Sequence, residues 1–298
     1  ECLVGSEMCI RDSFYGWNIL SGNYFGTLEQ AFDSSEVFTN ALAAKENMRT
    51  ESFAQKLCVS SQGNVDCIKN AQLEEGQKGL LFSLSNHKVL YANGIYDKVY
   101  PASITKIMTA MLALQSGKLN DTVTITQDNV TLEDGSQVCG FVAGDQVTLD
   151  QLLHCLLVYS GNDAASAIAE YVGGSTENFV QMMNDYAAKL GCTGTHFSNP
   201  HGLQDENHYT TPYDIYLMLN EAFTYPEFTE ITELPSYTVT YTGSDGTEKS
   251  TTLTATDHYL TGEATAPKDV TILGGKTGTT EVAGNCLATV SYTHLTLP

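Results

Sequence analysis

The sequence predicts an α+β fold in which an antiparallel sheet takes its strands from the two ends of the body and a helical lobe is inserted between them. Three observations predict it. Strand-like runs occur early, at residues 79–84 and 88–92, and late, at residues 270–273 and 286–290. The segments between them are dominated by helical periodicity. Polar and glycine-rich turns separate the runs. Strands at both ends with helices in the middle favour one sheet with the helices gathered to a side of it.

The elements follow in order. Residues 79–84 and 88–92 read as an antiparallel pair, with Ser85-Asn86-His87-Lys88 as its turn. Pro101-Ala102 precedes Ser103, and the apolar run 104–114 reads as a helix that opens there. Residues 121–125 alternate like a strand. Residues 149–159 are apolar enough for a buried helix and lead directly into Ser160-Gly161-Asn162. Residues 163–172 and 176–190 read as two further helices, the second with Phe179, Met182, Met183, Tyr186 and Leu190 on one stripe. Thr211 is the expected cap of a helix over 212–223, and Pro212 sits at its first position, where a missing N–H costs nothing. Residues 237–241 and 251–256 flank Gly243-Ser244-Asp245-Gly246, a hairpin signal. Residues 270–273 run into Gly274-Gly275-Lys276, and 286–290 begin a return strand.

The 298 residues suffice for one large domain or two modest ones. A formal charge of −21, from 14 Lys and Arg against 35 Asp and Glu, argues against nucleic-acid binding and gives no support for a polybasic membrane contact. No stretch is long and apolar enough to span a membrane, and no signal peptide is visible.

Both termini look foreign to the rest. Met8-Cys9-Ile10-Arg11-Asp12 can be written ATG TGT ATA AGA GAC. The reverse complement, GTC TCT TAT ACA CAT, reads Val-Ser-Tyr-Thr-His, which is the sequence of residues 290–294. One DNA element read from opposite strands accounts for both, so residues 1–13 and 291–298 are expected to be sequencing-adapter translations and are set aside. That leaves residues 14–77 as an N-terminal helical and linker region without an assigned role, helical in character over 27–56 and linker-like over 60–77. Residues 78–290 form the body. Of the cysteines, Cys58 and Cys67 could close a local loop, whereas Cys139, Cys155, Cys192 and Cys286 read as small core residues. There is no C-x-x-C and no H-E-x-x-H, so neither a metal nor a cofactor is expected, and His201 reads as a structural residue.

Three short motifs carry the chemistry: Ser103-Ile104-Thr105-Lys106, Ser160-Gly161-Asn162 and Lys276-Thr277-Gly278. They supply a nucleophile beside a lysine, a second polar clamp and a basic strand. On a helix, residues i and i+3 share a face, so Ser103 and Lys106 can touch. The decoys Ser85-Asn86-His87-Lys88 and Ser21-Gly22-Asn23 lack that setting.

With these motifs, Pro101 to Ala110, Ser160-Gly161-Asn162-Asp163-Ala164-Ala165, and Gly275 to Thr279 with Ala283-Gly284-Asn285-Cys286-Leu287, the body resembles the low-molecular-mass penicillin-binding proteins, the serine D-Ala-D-Ala carboxypeptidase family. Phe197 to Leu203 and His208-Tyr209-Thr210-Thr211 also fit. The resemblance implies a β-lactamase/transpeptidase-like fold. It implies Ser103 as nucleophile, Lys106 as its base and Ser160 as proton relay. It further implies Asn162, Lys276, Thr277 and Gly278 as the substrate-binding set, and the backbone N–H groups of Ser103 and Thr279 as oxyanion hole. The implied partners are peptidoglycan stem peptides ending in D-Ala-D-Ala, with β-lactams as inhibitors. The implied place is the outer face of the cytoplasmic membrane, with membrane contact only through terminal segments absent from this sequence. The alternatives are a β-lactamase, a DD-endopeptidase or a non-catalytic module of the same fold. In such a family the return strand has a further neighbour. Here the chain runs into residues 291–298, so the edge beside the Lys276 strand is expected to be left open and the protein poorly soluble and weakly active.

Overall fold

Strands from the two ends of the body meet in one sheet. The protein is described by a computed structural model covering residues 2–7, 57–60, 63–66 and 73–293, with only the backbone of residues 2–7. In chain order these form β1 (Cys2–Glu7), β2 (Val65–Asp66), β3 (Gly79–Ser83) and β4 (Lys88–Asn93). A 3-10 turn (Ala102–Thr105) leads into α1 (Lys106–Gln115), followed by β5 (Thr122–Thr124), α2 (Gln127–Val130), β6 (Gln146–Thr148) and α3 (Leu149–His154). A π-turn (Cys155–Tyr159) then joins α4 (Asn162–Gly173), α5 (Thr176–Leu190), α6 (Pro212–Ala222) and α7 (Pro226–Thr232). The hairpin β7 (Ser236–Thr242) and β8 (Glu248–Thr254), the single turn α8 (His258–Thr261), and β9 (Val270–Thr280) and β10 (Gly284–Thr293) complete the described chain.

The larger sheet has the order β2-β4-β3-β1-β10-β9. Its hairpins β3–β4 and β9–β10 are antiparallel, as expected. The two pairings of β1 are parallel, with Leu3 opposite Leu287 and Gly79. The stretch set aside as adapter thus lies between the early and late strands. It supplies hydrogen-bond partners to β3 and to the edge of β10 that was expected to be open. The return strand also runs on through Thr293, past the expected boundary at residue 290. At the other edge, β2 pairs with β4, and Cys58 is wholly buried, its N–H donating to Tyr216 Oη at 2.9 Å. The body therefore begins upstream of Lys78. Cys58 is a free thiol, not half of a local disulfide. The helix expected over 27–56 lies outside the described residues.

The helical lobe follows the sequence pattern closely. Residues Lys106 to Ala113 of α1 are buried on all sides, which is why that helix lacks a polar face. Thr148 and Gln151 form a reciprocal capping box at α3, Ser175 caps α5, and the Thr211 hydroxyl accepts from the Asp214 N–H with Pro212 in the first turn. Phe179, Met183 and Tyr186 are buried on the α5 stripe, while Met182 and Leu190 lie at its margin. A second sheet, β5-β6-β7-β8, was not expected as a unit. The single helix expected over 149–159 is interrupted: its last turn widens to π geometry and ends at Ser160 with φ 68°. The π-turn aims the clamp motif, a common use of that device.

Candidate active site

The turn that carries Ser103 is strained and braced. Ala102 has φ 47°, a left-handed conformation that costs a residue with a Cβ on the order of 1 kcal/mol or more. The Thr105 hydroxyl donates to the Ala102 carbonyl at 2.8 Å and accepts from His208 Nε2 at 2.7 Å. The tautomer is fixed because His208 Nδ1 accepts the Ser198 N–H at 3.1 Å. Burial pushes the His208 imidazole down to about 4, so it is neutral near pH 7. The result is a directed chain from His208 through Thr105 to the residue before the nucleophile.

Lys106 is fully buried, and its Nζ has three oxygen partners. They are Ser103 Oγ at 2.8 Å, Asn162 Oδ1 at 2.7 Å and the His201 carbonyl at 2.8 Å. Desolvation, then the nearby charge of Lys276, drive its pKa well below the usual lysine value. A neutral amine has two hydrogens and one lone pair. Asn162 Oδ1 and the His201 carbonyl can only accept, so they take the hydrogens and leave the lone pair facing the Ser103 hydroxyl. That is the geometry a proton acceptor needs.

The clamp motif is positioned at the start of α4. Ser160 is in the left-handed region at φ 68°, and among the described residues its hydroxyl takes no hydrogen bond. Gly161 is small for a packing reason: a Cβ there would sit 2.3 Å from Cys139 Sγ. Asp163 holds the same region from below, its carboxylate accepting the N–H groups of Cys139 at 2.9 Å, Gly140 at 3.1 Å and Phe141 at 3.4 Å. Asn162 N–H donates to the Gln137 carbonyl at 2.8 Å. The loop around residues 137–141 is thereby tied to the clamp.

On the sheet side, β9 brings Lys276, Thr277 and Gly278 against the nucleophile turn. A Cβ at Gly278 would lie 2.8 Å from the Ser103 nitrogen, so only glycine admits this approach. Lys276 is 1% exposed, and its Nζ donates to the Thr277 carbonyl at 2.8 Å. Burial lowers its pKa to about 7, opposed by the charge of Asp257. The Thr277 hydroxyl meets that of Thr256 at 2.5 Å. By contrast, Ser85 sits in the β3–β4 turn as expected, with its Oγ 3.4 Å from Ser83 Oγ.

Sequence reasoning missed four contributors: the His201 carbonyl, the His208–Thr105 brace, Asp163 and Asp257. His201 was expected to be structural. Its ring is half-buried, with Nδ1 accepting the Leu203 N–H at 3.2 Å, but its backbone also orients Lys106. The only advance signal for Asp163 was its place directly after the clamp motif. Among the described residues no group of three His, Cys, Asp or Glu side chains is placed to hold a metal.

The region that carries this geometry is similar to known proteins. The family described as D-alanyl-D-alanine carboxypeptidase matches residues 68–294. The chain is 37% identical over 162 residues to the D-alanyl-D-alanine carboxypeptidase DacF of Bacillus subtilis, covering 53% of this chain and 41% of that protein. It is 40% identical over 149 residues to DacC of Escherichia coli, covering 47% and 37%. The chain thus spans less than half the length of these curated relatives. Among solved structures, the Streptomyces K15 DD-transpeptidase superposes with a TM-score of 0.62 at 27% identity, covering 70% of this chain and 86% of the other. A D-alanyl-D-alanine carboxypeptidase from Mycobacterium tuberculosis gives 0.58 at 32% identity, with 66% and 70% covered. With the match extending across the nucleophile turn, the clamp and β9, the chain belongs to the D-alanyl-D-alanine carboxypeptidase family.

Proposed function

We propose that the protein is a serine D-Ala-D-Ala carboxypeptidase that removes the terminal D-alanine from peptidoglycan stem peptides through an acyl-enzyme on Ser103. The observation that carries this reading is the fully buried Lys106 Nζ, 2.8 Å from Ser103 Oγ and held there by Asn162 Oδ1 and the His201 carbonyl.

The reaction follows from the arrangement. Lys106 takes the Ser103 proton as Oγ attacks the carbonyl carbon of the penultimate D-alanine. The developing oxyanion is stabilised by the backbone N–H groups of Ser103 and Thr279. Ser160, its hydroxyl uncommitted, relays a proton to the leaving amine. Lys276 and Thr277 hold the terminal carboxylate, which a lysine with one hydrogen bond of its own can turn to meet. Asn162 holds the substrate amide. Water then hydrolyses the ester with Lys106 again as base, and no metal or cofactor enters. A β-lactam carries the same amide and carboxylate in a ring, so it acylates Ser103 and blocks the site. This activity places the protein outside the cytoplasmic membrane, and no helix among the described residues is long and apolar enough to cross one.

The test is release of D-alanine from a diacetylated L-Lys-D-Ala-D-Ala tripeptide, together with covalent labelling by a fluorescent penicillin. Both are expected for the protein as given. Fast turnover of penicillin without D-alanine release would identify a β-lactamase instead, and absence of labelling would identify a non-catalytic module.

A further inference from the structure

A small cavity beside β9 is lined by Val158, Thr232, Leu234, Asp257, Leu260 and Lys276 among others. Asp257 is only 7% exposed. Its Oδ1 accepts the Tyr259 N–H at 2.9 Å and caps α8. Its Oδ2 is buried with no hydrogen-bond partner. Capping does not explain this carboxylate, because asparagine or serine caps a helix as well without carrying a charge. A buried carboxylate oxygen left without a partner costs several kcal/mol unless a cation compensates it.

We infer that Asp257 is a positioning residue of the active site: its buried carboxylate, which lines the same cavity as Lys276, supports the charge of Lys276 and through it the state of Lys106. The inference rests on the catalytic reading above. The ionisable groups packed around Lys276 leave no other candidate. The nucleophile turn and α1 bring Lys106, itself a lysine. Glu227 and Glu230 of α7 and Glu233 just past its end are exposed, as are His258 and Glu263 at α8 and Glu281 beside β10. Cys286 of β10 stays a neutral thiol near pH 7, with burial pushing it up to about 11. Asp257 opposes the desolvation that lowers Lys276, and the Lys276 charge in turn opposes protonation of Lys106. One carboxylate thus biases two lysines in opposite senses.

The test is Asp257→Asn in the full chain, which keeps the cap and the side-chain shape. Asp257→Ser serves as a second capping variant should the first fail to fold. The rate of acylation by a fluorescent penicillin is measured from pH 5 to 9, and the side-chain carbon shift of Lys276 is followed by NMR titration. The expected result is a Lys276 titration moved down by about one pH unit, an alkaline limb of the rate profile moved with it, and acylation at neutral pH lowered about tenfold. An unmoved Lys276 titration overturns the inference, as does an unmoved profile, whatever the rate. Wild-type protein that titrates normally but is never acylated would instead overturn the catalytic reading, and the NMR titration would still decide the Asp257–Lys276 relation.

Discussion

Lys106, on the helical side of the cleft, and Lys276, on the sheet side, are each no more than 1% exposed. They are held quite differently. Lys106 has three partners drawn from the nucleophile turn, the start of α4 and the loop at residue 201, whereas Lys276 has one, the carbonyl of the next residue on its own strand. Burial depresses both, and the charge of Lys276 depresses Lys106 further. The difference lies in how much freedom the amine keeps. A lysine tied to three elements cannot turn, so its lone pair has one address, the Ser103 hydroxyl. A lysine tied only to its own backbone can still swing toward a carboxylate that enters the cleft. One fold thus makes a base and a binding group from the same side chain.

The largest break in this contrast comes from the tied side. Ser103→Ala should abolish covalent penicillin labelling, and Lys106→Ala should slow acylation by about three orders of magnitude, because no other group reaches the serine proton. Ser85→Ala, in the β3–β4 turn, should leave labelling intact. Labelling that survives Ser103→Ala would move the nucleophile elsewhere.

On the free side the loss should depend on the substrate. Lys276→Ala should lower kcat/KM for a peptide ending in a free carboxylate by about a hundredfold, and for the C-terminally amidated peptide by much less, since a charge-assisted hydrogen bond is the part removed. Equal losses on the two peptides would remove Lys276 from carboxylate binding and leave it a purely electrostatic partner of Lys106.

A smaller effect should come from the brace. His208→Ala removes the donor to Thr105, and with it the support of the left-handed Ala102. Acylation should fall about tenfold, with an unfolding free energy lower by about 1–3 kcal/mol for the unsatisfied buried groups. His208→Asn, with a shorter side chain, should not restore the rate. A rate unchanged beside lowered stability would show that the brace serves folding alone.

Much of this site was legible in advance, and the reason is covalent. The spacing of Ser103 and Lys106 fixes their contact once the segment is helical, and Thr211 with Pro212 announces a helix start by local chemistry. What was not legible depends on partners far away along the chain. His208 lies 103 residues from the Thr105 it serves, and the His201 contribution to Lys106 is a backbone carbonyl, which no residue type signals. Asp257 reads as an ordinary cap until the cavity it shares with Lys276 is seen. The second sheet was missed because β6 has three residues and joins β7 through one pairing, Gln146 with Thr242. The parallel placement of β1 was missed because those residues had been set aside for their coding origin, and a backbone can pair at an open edge whatever its origin.

The smallest expected effect concerns the loop that supplies the His201 carbonyl. Two imidazoles sit there, His208 buried and His201 half-buried, and desolvation lowers His201 to about 3 and His208 to about 4, from an ordinary 6.5. Both folded values lie below the unfolded one, so below pH 6.5 the unfolded chain binds more protons than the folded chain. Stability is therefore complete above about pH 6.5 and is lost progressively as the pH falls toward 4. Over the first part of that window, down to pH 5.5, the loss should be on the order of 1–3 kcal/mol, before most carboxylates begin to titrate. Urea unfolding at pH 7.5, 6.5 and 5.5 would measure it, and His208→Gln, which cannot protonate, should flatten the slope. Because the same loop orients Lys106 and not Lys276, penicillin labelling should decline with this loss of stability. A slope that is the same in His208→Gln would assign the acid sensitivity to other groups and leave the loop neutral in the contrast between the two lysines.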